Sequence, residues 1–255
     1  MNSDIIQVGA RLRRARRVLF ITGAGVSAES QIPTFRGATA AFADGLTEDG
    51  VPFEAALSGE TLRRNPALSW KYLARLELSI RGKTPNAAHH TMAALPSPER
   101  TVWIATQNID ELHQRAGSRN VLELHGNLRR IICTQCDYSV RWETYEGRAE
   151  LPRCPECRSG LRPDVVLYGE SLPGDVLGAF ADEQQQGFDL LFSVGTTSLF
   201  PYVIEPVLAA RRRGTPVVEI NPEATPVSHL ADFRFAAAAG PMLQQLAAAA
   251  NGSTA

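Results

Sequence analysis

Four apolar residues in a row, Val18-Leu19-Phe20-Ile21, run directly into Thr22-Gly23-Ala24-Gly25-Val26-Ser27-Ala28. A short run that is apolar at every position has the pattern of a strand buried inside a parallel sheet. The glycines behind it read as a tight strand-to-helix turn. Gly23 to Ala28 fits the dinucleotide pattern G-x-G-x-x-G/A, and it stands directly after a strand, the setting that pattern requires. In such a turn the backbone approaches a pyrophosphate closely, and the first N–H groups of the following helix face the anion. Many glycine turns bind nothing, and the acidic ribose partner expected about 20 positions on would be Asp44, in a stretch with no strand. Pattern and context together favour a bound nucleotide.

Similar apolar runs return at 102–105, 121–124, 190–194 and 216–220, with a weaker one at 233–237. Helical stretches lie between many of them, and the first of these, at 5–16, sets Ile5, Val8, Gly9 and Leu12 at helical spacing. Alternating strand and helix predicts an α/β fold, a Rossmann-like doubly wound parallel sheet with helices on both faces. Two stretches interrupt the alternation: 36–88 has helix-like pieces without a buried strand, and 129–165 has cysteines and short polar segments. We therefore expect a sheet domain from 1–35, 89–128 and 166–250. A helical insert at 36–88 and a zinc-binding insert at 129–165 should form a smaller lobe.

Cys133-x2-Cys136 and Cys154-x2-Cys157 are separated by 17 residues. That spacing lets two thiolate pairs close on one Zn2+. Four thiolates leave the metal no open position, so its role is structural. Such ribbons also bind nucleic acid, but the segment between the pairs carries Glu143, Glu146 and Glu150 and few clustered cations. The whole chain has a net charge of -1, which gives no field to hold nucleic acid or an anionic membrane. The arginine run at 11–17 has the pattern of a solvated helix face. No apolar stretch is long enough to cross a bilayer, and the N-terminus lacks the pattern of a signal peptide. With cysteines arranged for metal rather than disulfides, these features point to the cytoplasm. Nothing in the sequence sets an oligomeric state. At 255 residues, 44% of them hydrophobic, there is material for one large core with a small insert.

Several longer segments carry a more specific signal. Gly23 to Arg36, GAGVSAESQIPTFR, resembles the first signature of the sirtuin family. Thr106 to Gly117, TQNIDELHQRAG, resembles the second, and Leu124-His125-Gly126 follows at the place of that family's catalytic histidine. The four cysteines match its zinc module, Arg162 to Glu170 its substrate-binding segment, and Gly195-Thr196-Thr197-Ser198 and Asn221-Pro222-Glu223 its later nucleotide contacts. The motifs run in order across roughly residues 5–245, and the ordered set is far more specific than any one member. Two features depart from the family: Gln31 stands where it usually has glycine, and the segment after Arg36 is longer.

The resemblance implies an enzyme that removes acyl groups from protein lysine and consumes NAD. The nicotinamide–ribose bond breaks, the acyl oxygen attacks the ribose, and a base activates a ribose hydroxyl. His125 is the implied base, since imidazole titrates near working pH. By the same resemblance Asn108 orients ribose or a water, Asp110 holds the nicotinamide amide, and Gln107 bonds the ribose, with Ile109 between them. Further implied NAD contacts are Gly23, Ala24, Gly25, Ser27, Glu29, Phe35, Arg36, Gly195, Thr196, a hydroxyl from Thr197 or Ser198, Asn221, Pro222, Glu223 and Ala236. Glu29 also suits a helix start. Without the resemblance, Asn108 and Asp110 would read as ordinary loop and cap residues, and His125 as a core histidine. The products are nicotinamide and O-acyl-ADP-ribose, and the partners are acyl-lysine proteins or peptides. Desuccinylase or demalonylase activity, protein ADP-ribosyl transfer, or a non-catalytic NAD-sensing binder remain as alternatives.

Val165, Val166 and Leu167 form an extended run beside Tyr168, Gly169 and Glu170, where a substrate backbone is expected to add as a strand. For the acyl pocket there are two registers. Desuccinylases of the family bind the acyl carboxylate with a Tyr and an Arg three apart on a helix, and Tyr72 and Arg75 have that spacing. An ungapped count from Asn65-Pro66 to Asn86 instead puts Leu73 and Leu76 at those positions. One residue of shift turns a helix by about 100°, so the second register predicts an apolar tunnel and a neutral acyl group.

Overall fold

The computed structural model describes residues 2–34, 45–148 and 150–252. Its strands are β1 (Arg17–Thr22), β2 (Thr101–Thr106), β3 (Val121–Glu123), β4 (Gly126–Cys133), β5 (Ser139–Arg141), β6 (Leu161–Val165), β7 (Leu190–Val194), β8 (Val217–Ile220) and β9 (Phe233–Phe235). Six of them lie side by side in the order β3-β2-β1-β7-β8-β9, every pair parallel. The chain starts in the middle at β1, winds out to β3, then returns beside β1 as β7 and winds out to β9. The winding reverses between β1 and β7, and in such sheets the crevice for a ligand opens there, at the carboxyl ends of the strands. Each of the six apolar runs is a strand, with ends shifted by at most two residues from the expected bounds.

The helices are α1 (Ser3–Arg14), α2 (Phe53–Ala56), α3 (Gly59–Arg64), α4 (Pro66–Ile80), α5 (Ala87–Ala94), α6 (Leu112–Arg115), α7 (Gly174–Gln186), α8 (Pro201–Arg213) and α9 (Ala239–Ala250). α1, α5 and α9 cover one face of the sheet, packing with Val18, Phe20, Ile104 and Phe192. α7 and α8 cover the other, packing with Leu19, Ile21 and Leu191. Val18 to Thr22 and all of β7 are buried, as the uninterrupted apolar runs require.

The second sheet is antiparallel, in the order β5-β4-β6. It shares one apolar cluster with α2 and α4. At its centre Trp70 Nε1 donates to the Leu161 carbonyl (3.1 Å), Tyr145 Oη to the Leu128 carbonyl (2.5 Å), and the Trp142 and Tyr145 rings meet edge-on. No described helix is long and apolar enough to cross a membrane.

One expectation fails. No α-helix follows the glycine turn within the described residues. Two single 3-10 turns, Ala24–Val26 and Ala28–Ser30, follow instead. Gln31 ends the second in the left-handed conformation (φ 60°). A right-handed helix cannot pass through that residue, and Pro33 behind it further disfavours helix at Ile32. The position therefore favours glycine, which accounts for Gln31 being the departure that the motif reveals. Asp44 lies outside the described residues.

Candidate functional site

The glycine turn meets the loop after β7 backbone to backbone. Gly23 N–H donates to the Val194 carbonyl (3.2 Å) and Gly25 N–H to the Gly195 carbonyl (2.8 Å). A Cβ on Gly25 would stand 2.7 Å from Gly195 Cα, and one on Gly195 (φ +58°) 2.5 Å from Val26 N. Contact between the two halves of the sheet is enough to require these glycines, whatever they bind.

Thr196 ties the strand ends together. Its hydroxyl accepts from Gln107 Nε2 (2.8 Å) and Ser198 N (3.2 Å), and its carbonyl accepts from Asn221 Nδ2 (2.8 Å). Of the two hydroxyls expected to face phosphates, Ser198 is fully buried with its Oγ 3.5 Å from Ser193 Oγ, while Thr197 is exposed. The exposed hydroxyl of the two is therefore that of Thr197. Ala24 is half-buried, and Pro222, Glu223 and Ala236 are exposed. Glu29 stands in the first turn of the Ala28–Ser30 3-10 helix and also reaches another helix. Its carboxylate accepts from Gly240 N (2.9 Å) in the first turn of α9, so it also stabilises the start of that helix. Phe35 and Arg36 lie outside the described residues.

Ser27 joins this turn to the loop after β2. Its hydroxyl donates to Asp110 Oδ2 (2.6 Å) and accepts from Asn108 Nδ2 (3.0 Å). Asp110 Oδ1 accepts from Leu112 N (2.9 Å) at the start of α6. Burial pushes the Asp110 carboxyl above its ordinary range, against the opposing hydrogen bonds from Ser27 and Leu112. The Ser27 hydroxyl is thus engaged inside the protein, a link that the dinucleotide pattern does not disclose. Ile109, between Asn108 and Asp110, packs with the apolar cluster of the small lobe. Behind this network His113 Nε2 lies 3.0 Å from Thr22 Oγ1, and the His113 and His89 ring centroids are 4.8 Å apart. His89 belongs to the capping box of α5. Asn86, the cap, donates to the Val26 carbonyl (2.8 Å) and Ser30 Oγ (3.0 Å).

His125 stands two residues beyond β3 and one before β4. It is half-buried, and its Nε2 lies 2.6 Å from Tyr202 Oη. Burial lowers its pKa to about 4, opposed by a hydrogen bond to the Gln107 backbone. The imidazole is therefore neutral at physiological pH and able to accept a proton. Phe200 and Tyr202, stacked on each other at 5.3 Å, both present their rings edge-on to it. Neither was found from sequence. They lie 75 and 77 residues further along, and nothing local marks them.

The segment expected to meet a substrate is knitted to this histidine. Val166 N–H donates to the His125 carbonyl (2.9 Å), while Tyr168 N–H donates to Leu57 O and Gly59 N–H to Tyr168 O (3.0 Å each). Arg162 binds the Glu170 carboxylate through two nitrogens (2.6 and 2.9 Å) and donates to the Val165 carbonyl (2.7 Å), while Glu170 also accepts from Leu167 N (2.9 Å). Several main-chain groups expected to meet a substrate strand therefore already have partners within the protein. Gly169 is exposed at the turn.

On α4, Tyr72 Oη donates to Asp49 Oδ2 (2.6 Å), and Arg75 binds Glu48 (2.5 Å) while lying over the Tyr72 ring. Both are tied to acidic neighbours. Leu73 is buried and Leu76 partly so, in the same apolar cluster as Ile32, Ile109, Val165, Leu167 and Tyr168.

The four cysteine sulfurs lie within 4.8 Å of one another and form no disulfide. The closest pairs are Cys133–Cys157 at 3.4 Å and Cys136–Cys154 at 3.6 Å. Zinc–sulfur bonds of about 2.3 Å in a tetrahedron put sulfurs about 3.8 Å apart, so the donor set fits one zinc ion.

Residues 23–200 match a family model described as the Sir2 family. An NAD-dependent protein deacylase 2 of Pseudomonas aeruginosa is 42% identical over 248 residues, spanning 96% of both chains. The structure of a Sir2 homologue in complex with NAD superimposes with a TM-score of 0.87 at 35% identity, covering 100% of this chain and 96% of that one. A mutant Sir2 homologue in complex with 2′-O-acetyl ADP ribose gives 0.87 at 35% identity, covering 99% and 98%.

Proposed function

The chain belongs to the Sir2 family, and from that membership we propose that it removes acyl groups from protein lysine, consuming NAD and giving nicotinamide and O-acyl-ADP-ribose. The observation that carries this reading is a neutral imidazole, His125, whose backbone is bonded to the segment that resembles a substrate site and whose ring is bonded to Gln107 of the nucleotide loop. A module that only binds NAD has no use for such a base.

In this reading NAD lies across the reversal between β1 and β7. Gln107, Thr196 and Asn221, cross-linked to each other, face its riboses, and exposed Thr197 meets the phosphates. Asn108 and Asp110, held by Ser27, receive the nicotinamide end. Preorganised polar groups of this kind act without rearranging when charge develops on the ribose. His125 then takes the proton of a ribose hydroxyl. Cys133, Cys136, Cys154 and Cys157 hold one zinc that cross-links the small lobe and takes no part at the bond being broken. Reduced thiols kept for a metal fit a reducing compartment, the cytoplasm.

We read the acyl group as neutral. Leu73 and Leu76 share the cluster of the substrate segment, and Arg75 and Tyr72 are engaged with Glu48 and Asp49. A succinyl carboxylate among those leucines would be an unpaired buried charge, which costs several kcal/mol. The test is incubation with NAD and acetyl, butyryl or succinyl versions of one peptide, followed by mass spectrometry. Nicotinamide with O-acyl-ADP-ribose, fastest for the neutral acyl groups, is expected. A peptide that gains ADP-ribose, or no turnover, overturns the activity. Succinyl as best substrate, lost in Arg75→Met, overturns the acyl reading alone.

A further inference from the structure

We propose that Tyr202 is the positioning residue of the base: its hydroxyl holds His125 Nε2 in the tautomer and orientation for proton transfer, at the place a ribose hydroxyl takes when substrate binds. The proposal rests on His125 being the base of the reading above. In the proposed tautomer the ring nitrogen toward the Gln107 backbone carries the hydrogen, since a carbonyl only accepts. Nε2 then keeps its lone pair, and the Tyr202 O–H, with its oxygen 2.6 Å away, donates to it.

The tyrosine reaches this place from a rigid element. It is the second residue of α8, directly after Pro201 at the first helical position, and α8 is anchored by buried Val203 and Val207. Phe200 stacks on it with an interplanar angle of 7°, and the two rings stand at 88° and 82° to the imidazole. Two parallel rings therefore meet the imidazole from one side.

Tyr202 stays neutral through the step. Burial pushes its hydroxyl above the ordinary phenol range, with a smaller push from Tyr168. In the free enzyme it donates to Nε2. Nε2 has one lone pair, so the ribose hydroxyl replaces Tyr202 on it when substrate binds and then passes its proton to Nε2, which becomes N–H while the ribose oxygen keeps the electron pair for its attack. A donor on Nε2 favours the neutral ring and adds to the effect of burial. Tyr202, with Tyr168 beyond it, is the titratable group facing the ring. Among the described residues no carboxylate or cation contributes to the ionisation of His125.

The experiment compares the full chain with Tyr202→Phe and Phe200→Leu. Two rates are read across pH: formation of O-acetyl-ADP-ribose, and peptide-dependent exchange of labelled nicotinamide into NAD. The exchange precedes the base step. Tyr202→Phe is expected to slow product formation about 10-fold and to raise the apparent pKa of the acid limb toward the ordinary histidine value. Exchange should stay within about twofold, which also reports an intact fold. Phe200→Leu keeps the hydroxyl and should leave the acid limb where it is. An unmoved acid limb in Tyr202→Phe, an equal shift in Phe200→Leu, or equal loss of exchange and product overturns the proposal. Wild-type protein that neither exchanges nor forms product overturns the parent reading instead.

Discussion

The crevice at the edge of the parallel sheet and the cysteine-bearing lobe use their polar groups in opposite ways. In the crevice Ser27, Asn108, Asp110 and Thr196 are all buried, yet they sit on a core of apolar strands covered on both faces. That core holds the fold, so the polar groups at its edge need only hold one another. The lobe has strands of eight, three and five residues, and β5 is exposed at both ends. Ion pairs such as Arg141–Glu143 lie more than half exposed, where they contribute little. Small cores need staples, and here the staple is the thiol quartet behind an aromatic trio. The same chain thus keeps polar groups for chemistry where apolar burial is ample, and uses them for stability where it is not.

The sharpest test of the first half is His125→Ala. Deacylation should fall about 10²–10⁴-fold, while the melting temperature moves by no more than about 4 °C, because the half-buried ring supports little of the core. Product analysis and a thermal melt read the two effects. A well-folded variant within tenfold of wild-type rate would remove the base from the crevice.

Cys154→Ser tests the second half, at the most buried of the four thiols. We expect loss of the bound metal by native mass spectrometry and a melting point lower by about 10 °C or more, since structural zinc binding is folding free energy. Hydrogen exchange should show amides of 126–165 losing protection while 17–22 and 190–194 keep theirs. Equal loss in both regions would mean that they do not differ in what holds them.

The last effect is electrostatic, develops only on acidification, and belongs to the sheet. Burial lowers His89 and His125 to about 4 and pushes His113 well below its usual value. Their folded pKa values lie below the unfolded value near 6.5, so the unfolded chain binds more protons on acidification. Stability is whole above pH 6.5 and declines as pH falls toward 4, by up to about 1.4 kcal/mol per pH unit for each histidine. Denaturant midpoints across that range should show the slope, and His89→Gln should reduce it by that histidine's share. A flat profile in the wild type would contradict the buried, neutral histidines. The same lowering puts the acid limb of the reaction near pH 4 rather than 6.5.

The sequence by itself determined the strands, the glycine turn, the thiol quartet and, through the family motifs, the histidine. These are readable because each rests on local preference or spacing: apolar runs bury, glycines turn, and paired cysteines chelate. It even marked Gln31 as unusual, though the left-handed backbone that explains it is visible only in the structure. Tertiary structure alone decided what the side chains of the motifs do. Ser27 meets Asp110 across 83 residues, Glu29 meets the first turn of α9 across 211, and Tyr202 meets His125 across 77. Ser198 turns inward to Ser193, and Arg75 is taken by Glu48. No local propensity encodes such pairs. A parallel sheet brings distant strand ends to one edge, and only that closure selects which hydrogen-bond partners the buried groups find.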